Sequence, residues 1–220
     1  MKTSNKVIFG FLLAAIMVQT TLMVIAHNVS QDRPPVAATI LQEVELTDSF
    51  TTLHLHINGH VNITESQKNQ LVIKTYDENA SKNYQIDIKN DTCFVYSEAK
   101  EYVTLDINTN KMRQLIIDQA SSLDIRGKYD SLWVHNHKSR LSIQHKDTRI
   151  NFLQLTATER SNNNLQNIGA LDLSLDHSSL NGSNINNLTS DIRNNSDLNI
   201  EGLPNINGLK KDDNSKINFH

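Results

Sequence analysis

From Leu115 to the C-terminus, short apolar strands recur every 17–21 residues, and each is followed by a polar turn rich in Asn and Ser. The repeats start at Leu115, Leu132, Leu153, Leu171, Leu188 and Ile206. A unit of this length is too short for a helix pair, so it predicts a coil of strands in which each unit stacks on its neighbours. A second strand follows within each unit, usually introduced by serine, as in Ser122-Leu123-Asp124-Ile125, Ser139-Arg140-Leu141-Ser142-Ile143, Ser196-Asp197-Leu198-Asn199-Ile200 and Ser215-Lys216-Ile217-Asn218-Phe219. The fold class expected is all-β, a single-stranded parallel β-helix (solenoid) with Leu and Ile in thin internal layers. Asn and Ser suit the corners because they tolerate turn geometry and bond the local backbone. With coils stacked about 4.8 Å apart, equivalent corners would set Asn over Asn in ladders. An antiparallel sandwich is the structural alternative, but this half has few of the Gly-containing hairpin turns that it needs.

Strand alternation also governs the region before the repeats. In Leu53-His54-Leu55-His56-Ile57 apolar and polar residues alternate strictly, which buries one face and turns the histidines outward. Asn58-Gly59 reads as a turn, and Val61-Asn62-Ile63 resumes the alternation. Further strands are expected at Leu71–Ile73, Ile86–Ile88, Val103–Ile107 and Leu115–Ile117. The N-terminal pattern is different. Val7–Ala26 is an uncharged apolar run preceded by Lys2 and Lys6, and as a helix it would cover about 30 Å, the thickness of a bilayer's hydrocarbon core. With positive charge ahead of it, the run predicts a cytoplasmic tail over 1–6 and a signal-anchor transmembrane helix over 7–26. A linker over 27–47, containing Arg33-Pro34-Pro35, and an exported β-helix domain over 48–220 would follow. The competing reading is a signal peptide cleaved after Val24-Ile25-Ala26, although its apolar run exceeds the usual length.

Composition narrows the function. With 21 basic and 24 acidic residues the net charge is −3, and no Lys/Arg cluster marks a nucleic-acid groove. Aromatic residues make up 5% of the chain, so its layers must be aliphatic. Cys93 is the single cysteine, which rules out an internal disulfide and a four-thiolate zinc site. Its apolar surroundings predict a buried, inert thiol.

The run Phe50-Thr51-Thr52-Leu53-His54-Leu55-His56-Ile57-Asn58-Gly59-His60-Val61-Asn62-Ile63, followed by Leu71-Val72-Ile73 and Tyr84–Val95, resembles the opening of the bacterial auto-transporter adhesin head GIN domain-like family. The later Leu-x-Leu and Ser-x-Leu-x-Ile coils are similar to that family's repeats. The resemblance covers about residues 48–219 and implies an exported β-helix-like protein without established catalytic chemistry. Two features depart from the pattern. Ser66-Gln67-Lys68-Asn69 stands where relatives carry Gln-Gly, and the chain has only 7 glycines where relatives often place Gly at coil corners.

Three constellations are candidates for chemistry. His54 and His56 share an outward strand face, with His60 just past the turn, but two imidazoles at this spacing need a third ligand from a neighbouring strand. Solvated polar residues are the simpler reading, so no metal and no cofactor is assigned. Trp133 shares outward parity with His135 and His137, and an exposed indole beside polar rings can stack on a sugar or a partner protein. Among the outward carboxylates Asp87, Asp106, Asp124 and Asp172, Asp106 and Asp124 lie one repeat apart. On adjacent coils they would form an acid pair suited to glycoside cleavage or calcium. Keeping a strand face soluble is the plainer role for them.

The expected function is therefore a non-enzymatic, membrane-anchored cell-envelope protein that presents a β-helix surface to polysaccharide or an envelope protein. Its expected place is the bacterial inner membrane, single-pass, with the C-terminal domain in the periplasm; signal cleavage would instead give a secreted or cell-surface protein. A carbohydrate-active β-helix enzyme using the Asp106/Asp124 pair, or an envelope scaffold or sensor, are the alternatives.

Overall fold

The computed structural model describes residues 16–21, 23, 38–46, 50–75, 84–97 and 102–220. Residues 16–21 and 23 are helical, and among the described residues no helix is long and apolar enough to cross a membrane. The 1–6 tail, most of the 7–26 span and the linker up to residue 37 lie outside the described residues. Ala38–His220 forms a compact unit of its own.

That unit is all-β. Its first strands are β1 (Thr39–Glu45), β2 (Thr52–His56), β3 (Gly59–Glu65), β4 (Gln70–Thr75), β5 (Gln85–Lys89), β6 (Thr92–Tyr96) and β7 (Val103–Thr109). The repeats supply β8 (Gln114–Gln119), β9 (Ser122–Arg126), β10 (Lys128–His137), β11 (Arg140–Ile143) and β12 (Arg149–Thr158). They continue with the long β13 (Asn162–Asp176) and β14 (Ser179–Arg193), then β15 (Asp197–Glu201), β16 (Asn205–Lys211) and β17 (Lys216–Phe219).

From β8 onward the chain is the expected parallel solenoid. One side stacks β8, β10, β12, the second halves of β13 and β14, and β16, all in parallel. The other side stacks β9, β11, the first halves of β13 and β14, β15 and β17. Four of the five intervals between repeat starts are in register, because Leu132, Leu153, Leu171, Leu188 and Ile206 are successive partners. The first is not. Leu115 pairs with Val134, two residues beyond Leu132, because Trp133 lies opposite Gln114. Shifting by two preserves which face each residue takes, so the sequence pattern alone could not detect it.

The stack departs from chain order at its N-terminal end. β2 and β3 pair in parallel with β8 and β9 on one side and with β6 and β7 on the other. The chain thus lays down β2–β3, builds an outer rung with β6–β7, and returns beneath the first rung to begin β8. Antiparallel strands close this end: β4 pairs with β7 and with β1, and β5 pairs with β6. The expectation of a purely parallel helix from residue 48 is corrected here. A β-helix leaves its first rung with an open edge and an uncovered core, and the antiparallel strands occupy that edge. β1 also falls within the segment expected to be linker.

Asn58-Gly59 is a rung corner rather than a hairpin turn, since β2 pairs with β6 and β8 while β3 pairs with β7 and β9. A Cβ on Gly59 would come 2.1 Å from the Val103 carbonyl oxygen. Close approach of the outer rung requires glycine at this position.

Inward side chains form columns. Leu53, Leu115, Val134, Leu155 and Leu173 are successive partners, all buried, and the column ends at buried Ser190. Polar groups also enter the interior. Asn136 is fully buried and its amide donates to Asn163 Oδ1 (2.7 Å) and the Ser139 carbonyl (3.1 Å), tying the two sides together.

The corners carry the polar chemistry. Ser139, Ser161, Ser178, Ser196 and Ser215, which introduce the second strands, are all buried. Their hydroxyls accept from the neighbouring rung's backbone: Ala120 N to Ser139 Oγ (2.8 Å), Ser178 N to Ser196 Oγ (3.1 Å) and Ser196 N to Ser215 Oγ (3.2 Å). They also donate within their own corner, as Ser178 does to the Asp176 carbonyl (2.9 Å). The residues just before the first four of these serines take left-handed backbone: Lys138, Arg160, His177 and Asn195 have φ between 49° and 65°. Scarce glycine is thereby replaced by residues that tolerate the conformation at modest cost. The expected Asn ladders are present, Asn164–Asn181–Asn199–Asn218 along the strands and Asn167–Asn184 at a corner.

Because Leu155 sits mid-column with no exposed surface, Leu155→Ala is expected to cost about 2–5 kcal/mol. Its outward neighbour Gln154→Ala should stay within about 0.5 kcal/mol of the parent. Urea unfolding followed by circular dichroism measures both.

Candidate functional site

Alternation along β10 buries Leu132, Val134 and Asn136 and leaves Trp133, His135 and His137 on the outer face, as the parity predicts. Trp133 keeps 39% of its surface exposed. It lies between Gln114 on β8 and Gln154 on β12 in the ladder. His135 is two residues further along, and His137 Nδ1 is 3.0 Å from Thr158 Oγ1.

Trp133 stands at the wall of a cleft of about 500 Å³. The cleft runs across the segment joining β7 to β8 and the start of β10, with Met112 and Tyr129 largely buried in its floor. Burial, with the negative charge of Glu65 adding to it, pushes the Tyr129 phenol well above its ordinary pKa, so it stays neutral. Its hydroxyl donates to the Arg126 carbonyl (3.3 Å). Lys111, Arg113 and Lys128 bring positive charge to the rim, and Glu65 and Asp130 bring negative charge. Arg113 is held at both ends of its peptide: its N–H donates to the Thr51 carbonyl (2.8 Å), and its own carbonyl accepts from Trp133 N (2.8 Å). Gly127, at φ +133°, forms the adjoining corner, where a Cβ would come 2.4 Å from Glu65 Cβ. His135 and His137 are on the same sheet face but do not line the cleft.

The histidines expected to approach one another are separated by the corner at Gly59. His54 and His56 lie on β2, and His60 on β3, in the opposite side of the rung. His54 Nε2 is 2.6 Å from Asp118 Oδ2, and its ring centroid is 5.4 Å from that of Phe94. His56 stacks on Tyr96 at 4.9 Å. These groups line a second, smaller hollow of about 110 Å³. His60 bonds Ser122 Oγ (2.7 Å) and Asn62 Oδ1 (2.9 Å) and lies 3.4 Å from Asp124. Among the described residues no three His, Cys, Asp or Glu side chains converge as a metal site.

The expected placement of the acid pair on adjacent coils is corrected by topology. Asp106 and Asp124 are not on adjacent rungs, because β3 lies between β7 and β9 and places Asn62 opposite both. Asn62 Nδ2 donates to Asp106 Oδ1 (2.8 Å), and Lys74 Nζ donates to Asp106 Oδ2 (2.6 Å). Partial burial alone would raise the Asp106 pKa. The hydrogen bonds from Lys74 and Asn62, with the charges of Lys74 and His60, outweigh it and hold the carboxyl below its ordinary value. A general acid for glycoside cleavage needs the opposite shift. Cys93 is fully buried, and desolvation pushes its thiol up to about 11, which makes it inert as expected.

Two sets of residues at these sites escaped the sequence pattern. Lys111 and Arg113 lie in an irregular stretch with no periodic signal, and Phe94 and Tyr96 read only as strand residues. Only the register that sets β6 beside β2 and β8 beside β10 brings them to His54, His56 and Trp133.

No family model and no curated protein matches the chain. Solved structures do. A "putative adhesin" from Bacteroides fragilis superposes with a TM-score of 0.62 at 16% identity, over 85% of this chain and 99% of that one. A "putative adhesin" from Parabacteroides distasonis gives 0.61 at 9% identity, over 84% and 97%. One from Parabacteroides merdae gives 0.53 at 12% identity, again over 84% and 97%. At these identities the likeness establishes a shared β-solenoid fold.

Asp106 supplies a pH test. A carboxyl with a lowered folded pKa contributes stability that is complete above its unfolded value and is lost as pH falls through the folded one. Asp106→Asn is therefore expected to be less stable than the parent at neutral pH, with the gap narrowing below about pH 4. Denaturant titrations across an acid pH series would show the convergence.

Proposed function

We propose that this chain is a non-enzymatic binding protein of the cell envelope that uses the outer face of its solenoid to engage polysaccharide. The observation that carries the reading is Trp133, an indole left 39% exposed on a rigid strand at the wall of a cleft of about 500 Å³. Leaving a tryptophan in water on an otherwise polar strand face forgoes favourable burial, and a sugar ring or partner surface laid on it recovers that energy. The solenoid suits this role because a sheet fixed by continuous backbone ladders holds the platform without ordering cost on binding. An adhesion role fits the names carried by the superposable solenoids. The resemblance to the GIN domain-like adhesin heads points the same way.

In this reading residues 7–26 anchor the chain in a bacterial inner membrane and the solenoid faces the periplasm. The length of the apolar run and the lysines before it support the orientation. An envelope protein is the second partner class, and the Phe94/Tyr96/His56 surface is the region that would favour it, since aromatic rings half-open to solvent are typical of protein interfaces.

Glycan-array binding by the parent should fall at least about tenfold in Trp133→Ala, the loss of one good stacking contact. It should be unchanged in Asp106→Asn and Asp124→Asn. Release of reducing ends or unsaturated sugars from a bound polysaccharide, abolished by those two Asp substitutions, would reverse the choice in favour of an enzyme. Mass measurement of the native N-terminus is expected to find residues 1–26 still attached.

A further inference from the structure

Charge at the cleft narrows the class of sugar. Elsewhere on the solenoid Lys74 forms an ion pair with Asp106, and Arg193 forms one with Asp191 two residues away on the same strand. Lys111, Arg113 and Lys128 do not. Among the described residues none of these three has a carboxylate within ion-pair distance, although all three line one cleft. The cleft's own acids are directed elsewhere: Glu65 Oε2 accepts from the Lys128 backbone N–H (2.7 Å), and Asp130 Oδ1 from the Asn151 amide (3.1 Å). A chain of net charge −3 thus sets three cations in the lining of the same cleft as its one tryptophan.

Geometry ties the charge to the indole. The Arg113 carbonyl accepts from the Trp133 backbone N–H at 2.8 Å, so the guanidinium and the indole spring from directly bonded neighbouring rungs. An indole face takes the C–H face of a pyranose, and a guanidinium fork takes two oxygens of a carboxylate or sulfate. A neutral sugar would use the first and leave the second idle. Three cations partly offset by two acids cannot track a polyphosphate strand, which argues for a single charged ring rather than nucleic acid.

Resting on the reading of Trp133 as a sugar platform, we propose that the cleft binds an acidic sugar residue of a polysaccharide. Its ring lies on Trp133 and its anionic group on Arg113, with Lys111 and Lys128 adding attraction across the rim.

Trp133 is the only tryptophan, so its fluorescence in the detergent-solubilised full chain reads the cleft directly. The probes are oligogalacturonate, carrying carboxylates, a sulfated galactan oligosaccharide, and the uncharged galactan oligosaccharide. At least one acidic probe is expected to shift the emission, with the neutral galactan binding about tenfold or more weakly. Arg113→Gln should lower the acidic affinity toward the neutral level with an unchanged far-ultraviolet spectrum, and raised salt should weaken the parent more than the variant. Preference between the two acidic probes assigns the anion. Equal binding of neutral and acidic probes, unaffected by Arg113→Gln, would overturn the acidic-sugar proposal and leave the polysaccharide reading standing. Silence of Trp133 toward every probe would also overturn it. Array binding that survives in Trp133→Ala would then remove the platform reading as well.

Discussion

Every rung of this solenoid must turn without abandoning its backbone polar groups inside the stack, and the buried serine column is what makes that possible. A chain wound back on itself after each short strand exposes amides and carbonyls where the ladder breaks, and an unpaired buried group costs as much as a lost hydrogen bond. Ser139, Ser178, Ser196 and Ser215 answer this with one small side chain that donates within its own corner or accepts from the neighbouring rung. Left-handed residues just ahead of Ser139, Ser178 and Ser196 sharpen the bend. The aliphatic columns can then stack in register because the corners between them are equivalent from rung to rung.

Equivalent corners make a stack that would propagate at both ends. At the N-terminal end the chain prevents this by crossing its own order, setting β6–β7 outside β2–β3 and closing the edge with antiparallel β1, β4 and β5. The last rung is different in character. β16 is exposed along most of its length, and Leu203 keeps 90% of its surface in solvent. Lys210, Lys211 and Lys216 line this rung, and charged residues on an edge strand discourage pairing with other chains.

The cleft arises where these two regimes meet. Below β10 the stacking is regular, and each rung covers the last. Above it, the chain arrives from the outer rung through Asn110–Arg113 and must re-enter the stack at β8, and the β10 strand begins beyond the short β8. The mismatch leaves the rim open beside Trp133. A site at this junction combines a rigid platform, held by ladder bonds on both sides, with an irregular segment whose side chains need not alternate inward.

The class of fold, the solenoid half and the identity of the buried face follow from the order of residues alone. A period of two within strands and about 18 between them is a local property of the chain, and Leu and Ile at those positions have only one favourable place to go. Serine ahead of each second strand, and outward Trp133, His135 and His137, were legible for the same reason. Which rung neighbours which is visible only in the folded chain. Insertion of β3 between β7 and β9 parted Asp106 from Asp124 and set Asn62 between them, and the Gly59 corner sent His60 away from His54 and His56. The two-residue offset of Leu115 and the assembly of Lys111, Arg113 and Lys128 around the indole belong to the same class. Alternation tells each side chain in from out, but it is indifferent to shifts of two residues and to the order of rungs. Those are settled by backbone pairing between segments distant in sequence.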